Sequence, residues 1–132
     1  MLNIRTISRA LFLILGLLTL NVCTAASPEE TKVALEQRVT EYWAARQSRD
    51  IRTLYDMESA ARPGGWLTPD KAGAVSGLPV RNVKIEEIAL DGERATVRVN
   101  GDVMVGTMGW WKQTLEDAWV FIDGQWYHDT KQ

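Results

Sequence analysis

Apolar residues recur at three- and four-residue intervals at Leu35, Val39, Tyr42, Trp43 and Ala45, with Glu36, Arg38, Glu41 and Arg46 between them. That spacing predicts an amphipathic helix with one buried and one wet face. Ser27-Pro28-Glu29-Glu30 sets its start: a serine cap, proline at the first helical position, and a glutamate three residues on that completes a capping box. Gln47-Ser48-Arg49 breaks the period. Asp50 is then placed to cap a short second helix whose inner stripe is Ile51, Leu54, Tyr55 and Met57. Glu58 to Pro79 has no long period and contains Arg62-Pro63-Gly64-Gly65, so it reads as loop, with one helical insert opened by a cap at Thr68 and by Pro69 and running to Val75.

Beyond Val80 the period becomes two. Ala95, Val97, Val99, Val103 and Val105 share one parity and Arg94, Thr96, Arg98, Asn100 and Asp102 the other, which predicts a long strand with one apolar face and a bend at Gly101. Ile88 and Leu90 are expected opposite Val97 and Ala95, with Asp91 to Arg94 as a four-residue loop. Val83 and Ile85 lie on the opposite parity from Ile88 and Leu90, so a bulge or a strand covered on both sides is expected there. Asp123-Gly124, between two aromatic-rich runs, is a two-residue turn signal that sets Trp119 against His128 and Phe121 against Trp126. One face of that hairpin then carries Asp117, Trp119, Phe121, Trp126 and His128, and the other Ala118, Val120, Ile122 and Tyr127. Both faces are apolar, so the one turned from the helices needs cover from loops, a closed cavity or another subunit.

Composition changes this picture mainly at the start of the chain. In 132 residues, Arg5 and Arg9 precede an apolar run from Ala10 to Leu20, and Thr24-Ala25-Ala26 offers small residues to a peptidase. Residues 1–26 read as a cleaved signal peptide, since the run is too short to cross a bilayer, and 27–132 as a single exported domain, periplasmic or secreted. Loss of Arg5 and Arg9 takes the net charge from -2 to -4, and an acidic surface without clustered cations argues against nucleic acid. Cys23 is the only cysteine, and Val22 before it departs from the small residue that lipidation signals carry, so lipid anchoring is the lesser reading. With the leader gone there is no thiol chemistry, and one histidine without a closely spaced carboxylate loop supplies no metal site. No phosphate-binding glycine loop occurs either, and no cofactor is expected.

Glu41-Tyr42-Trp43 to Asp50, Leu54-Tyr55, Ala95-Thr96-Val97, Glu116-Asp117-Ala118-Trp119-Val120 and Asp123-Gly124-Gln125-Trp126-Tyr127 occur in an order and spacing that resembles the nuclear transport factor 2-like superfamily, also called SnoaL-like or cystatin-like. The likeness covers nearly all of residues 28–130. It implies an α+β cone in which a curved antiparallel sheet wraps two or three N-terminal helices, leaves a pocket at the wide end, and often dimerises through the sheet. That superfamily holds lyases, isomerases and cyclases beside non-catalytic binding modules, so function has to come from side chains. Asp129 is excluded as a partner of His128, because neighbours on a strand point to opposite faces, whereas Asp117 lies diagonally across the ladder on the histidine's own face. A His128–Asp117 pair is the candidate machinery of a cofactor-free lyase or isomerase, with imidazole as general base. Asp50, Asp56 and Glu58 read as caps and solvated charges. Six tryptophans are many for this length, and core filling is their default use. The alternative is a pocket for an apolar small molecule lined by Trp43, Tyr55, Trp66, Trp119, Phe121 and Trp126, with Trp66 as a lid. Trp110 and Trp111, adjacent on a strand, cannot share a face. The expectation is a non-catalytic binding or assembly module, a homodimer or a subunit docked on an envelope complex, with no membrane span after cleavage.

Overall fold

The computed structural model describes residues 25–132, so Cys23 and residues 1–24 of the expected signal peptide lie outside the described residues. Helix α1 runs Pro28–Ser48, opened by the Ser27–Glu30 capping box and closed by Arg49 in the left-handed conformation. It turns Leu35, Val39, Tyr42, Trp43 and Ala45 inward. Asp50 accepts from the Thr53 amide to cap α2, Ile51–Asp56. A 3-10 turn at Ser59–Ala61, a second at Pro69–Lys71 and the short helix α3, Ala72–Val75, follow. Thr68 precedes Pro69 as expected, but its side chain makes no capping bond.

Four antiparallel strands complete the chain as a simple meander: β1 Val80–Asp91, β2 Arg94–Met104, β3 Trp110–Ile122 and β4 Gln125–His128. The last hairpin has the expected register, Trp119 opposite His128 and Phe121 opposite Trp126, with positive φ at Asp123 (49°) and Gly124 (82°). Two positive φ values are what a type I′ turn requires. Ile88 faces Val97 and Leu90 faces Ala95 as the alternation implies, but Asp91 and Arg94 also pair, so the connection is the two residues Gly92-Glu93 and not a four-residue loop. Gly92, with φ 58°, supplies the conformation that lets so short a turn close.

The parity conflict in β1 is resolved by two bulges. The register shifts between Arg81 and Lys84 and again between Ile85 and Glu87. Each extra residue flips the alternation, which brings Val80, Ile85 and Ile88 onto one face despite their mixed parity. Gly101 sits opposite the first bulge within an unbroken β2, and a Cβ there would lie 3.0 Å from Val83 Cγ2 and 3.3 Å from the Arg81 carbonyl oxygen. Close approach of the bulged strand is therefore what demands glycine. The core lies between α1, α2 and the concave face of the sheet, built from Leu35, Val39, Trp43, Leu54, Val97, Val99, Trp119 and Trp126. The convex face near β4 is only half covered: Arg62 donates to the Tyr127 hydroxyl and lays its guanidinium 4.7 Å above that ring, whereas Ala118 stays exposed.

Candidate functional site

His128, the only histidine, is brought into the cone by the last hairpin. Its ring stacks on Tyr42 of α1, 4.2 Å between centroids and 14° between planes, and meets the edge of Trp119 at 5.5 Å. Nε2 is 3.4 Å from Asp117 Oδ1, the diagonal pair that the hairpin register implies. Nδ1 is 2.8 Å from Glu58 Oε1, a contact that the sequence reading missed. Glu58 is no solvated charge: it is 3% exposed, because its backbone forms a parallel bridge with His128, whose amide donates to the Met57 carbonyl. That bridge ties the end of α2 to the edge of β4 across 70 positions, and no local pattern announces it.

Both carboxylates are otherwise satisfied. Asp117 Oδ2 accepts from the Trp43 indole N–H at 2.8 Å. Glu58 accepts from the Thr130 amide and hydroxyl at 3.3 and 3.1 Å and from the Tyr42 hydroxyl at 3.5 Å. Two acids around one base leave an excess of negative charge in the core, and these donors disperse it. Burial by itself would push the imidazole down; the hydrogen bonds and charges of Asp117 and Glu58 outweigh that and hold it up at about 9. Burial next to Glu58 pushes the Tyr42 hydroxyl far above its usual range, so it stays a donor. With a carboxylate on each ring nitrogen the imidazolium has no lone pair for a metal, and no group of three or more metal-ligating side chains occurs among the described residues.

The aromatic residues separate. Trp43, Trp119 and Trp126 are packed core, and the Trp119 and Trp126 indole N–H groups have no partner among the described residues, so these rings act as bulk. Tyr55 borders a cleft with Tyr42, Leu54, Glu58 and Leu67 that admits no water-sized sphere. Trp66 is half-buried beyond it and is not among the residues lining that cleft. Phe121 and Trp126 instead line a surface groove of about 570 Å³, with Arg38, Gln37 and Gln125, where Arg38 Nε donates to the Trp126 carbonyl at 3.1 Å. Five of the six residues expected around one pocket thus sit in core, cleft or groove and Trp66 in none of them, because α1 presses Tyr42 and Trp43 into the space that a cavity would need. Trp110 lies under Arg81, 4.2 Å from its guanidinium, and Trp111 faces solvent.

The sequence matches no family model and no curated protein. Solved structures do match. A SEC-C motif containing protein from Psychrobacter arcticus aligns with a TM-score of 0.58 at 12% identity over 75% of this chain and 60% of that one. A protein described as an NTF2-like transpeptidase from Campylobacter jejuni aligns at 0.50 and 16% over 80% of this chain and all of that one. An LEH-like epoxide hydrolase of M. tuberculosis aligns at 0.50 and 16% over 79% and 86%. Helices followed by a curved antiparallel meander define the class: the chain has the nuclear transport factor 2-like, or SnoaL-like, cone fold. At these identities the likeness concerns the fold, and solved cones of this shape include an enzyme as well as SEC-C proteins.

Proposed function

We propose that the protein is an exported, non-catalytic binding or assembly module that works through its outer surface, as a homodimer joined by its sheet. The observation carrying this reading is the closed interior: His128 has both ring nitrogens engaged, and the cleft beside Glu58 has no room for a water-sized sphere. A general base must be neutral near its working pH, and an imidazole held at about 9 is protonated at neutrality. Ala118 exposed beside half-covered Val120 and Ile122 supplies the apolar part of a sheet-to-sheet contact. Light scattering is expected to give a dimer that Ala118→Arg separates. A monomer, together with unchanged tryptophan emission across a panel of lipophilic ligands, would sink the proposal.

One observation favours the second reading, a cofactor-free lyase or isomerase. A histidine held between two carboxylates at 2.8 and 3.4 Å is an arrangement that can donate a proton, provided the loop from Glu58 to Pro79 opens. Activity on any small hydroxy or carbonyl substrate that Asp117→Asn abolishes while leaving the fold intact would establish it.

A further inference from the structure

Three of the four large apolar side chains that the described residues leave exposed, Leu78, Met108 and Trp111, gather at the end of the sheet remote from His128. The Met104 amide donates to the Pro79 carbonyl, which holds Leu78 beside the β2–β3 connection, and Met108 stands on that connection, 66% exposed. Trp110 and Trp111 open β3 directly behind it on opposite faces. Exposed apolar side chains clustered on one projection need an occupant.

The chain is acidic, yet this end is not. Arg81 covers Trp110, and Lys84 and Lys112 border a polar cleft of about 260 Å³ on the convex face next to the tip. Asp102 in that cleft is engaged by Arg81 and Asn82, and neither lysine takes part in an ion pair among the described residues. Indoles flanked by cations around an apolar point match the layering of a bilayer interface, where amphipathic rings sit at headgroup depth and Lys or Arg meets phosphate. The Val105 amide donates to the Gly109 carbonyl, the Met108 amide to the Val105 carbonyl and the Trp111 indole to the Met108 carbonyl, which holds the tip in one shape.

We propose that the β2–β3 tip docks on an anionic lipid surface, with Met108 and Trp111 entering the interface and Lys84 and Lys112 meeting headgroup phosphates. The contact is peripheral, since no helix of the described residues is long and apolar enough to cross a membrane. The whole chain is tested by sedimentation with vesicles of phosphatidylglycerol and phosphatidylcholine, read with tryptophan emission. Binding with a blue shift is expected, weakened roughly tenfold or more by Met108→Ser with Trp111→Ala, and roughly fivefold by each of Lys84→Gln and Lys112→Gln. The leader's apolar run is common to every variant, so binding through it would not respond to these changes. Absence of vesicle binding, or equal binding by native protein and the Met108/Trp111 variant, would overturn the proposal. So would self-association in lipid-free buffer that Trp111→Ala abolishes, since that assigns the tip to a second copy of the chain. The substituted side chains are exposed, and an unchanged circular dichroism spectrum verifies that each variant is folded.

Discussion

Trp119 and Trp111 lie on the same strand and, eight residues apart, on the same face of it, yet one is 1% exposed and the other 54%. The difference is α1, which packs its Tyr42 edge against Trp119 at 5.6 Å and leaves Trp111 at the uncovered end of the sheet. One half of β3 is therefore core around a closed polar cluster, and the other is surface around an open apolar tip. A residue's role here follows from where the helical layer stops.

Truncation separates the halves most sharply. Trp119→Ala is expected to cost about 3–5 kcal/mol, the range for deleting a large buried aromatic ring, whereas Trp111→Ala should stay within about 0.5 kcal/mol; urea unfolding of both variants measures the contrast. Comparable losses would mean that both rings are core.

The closed half also sets a pH dependence. His128 is raised from its ordinary 6.5 to about 9, so the stability it contributes is fully present below pH 6.5 and is lost as pH rises through about 9. The loss, of order 3 kcal/mol, appears as a urea midpoint that falls between those values in the native protein and stays flat in His128→Gln. Glu58→Gln removes one carboxylate from a charged hydrogen bond and is expected to cost about 1.5–3 kcal/mol, by thermal melting at neutral pH. Gly101→Ala, at the bulge, should cost about 1–2 kcal/mol as Val83 gives way to the new methyl.

Most of the fold was legible because its signals are local. The Ser27 capping box, the Asp50 cap, the alternation from Ala95 to Val103 and the Asp123-Gly124 turn each specify structure within a few residues. From the turn alone followed the approach of Asp117 to His128. Glu58 was not legible, since its burial depends on a bridge between segments 70 positions apart. Nor was the filling of the cone: the pattern marks Tyr42 and Trp43 as inward-facing, but how far they reach into the sheet's concavity depends on the distance between layers. The short Gly92-Glu93 turn was missed for a different reason, because Asp91-Gly92 offered a competing turn in the wrong register.

A single histidine makes the decisive measurement direct, since its ring nitrogens give one unambiguous set of resonances. Titrating them by nitrogen-15 NMR should show both nitrogens protonated at pH 7, with a midpoint near 9. A midpoint near 6.5, or a neutral ring at pH 7 with one nitrogen free, would contradict the closed cluster and reopen the cone as a catalytic site.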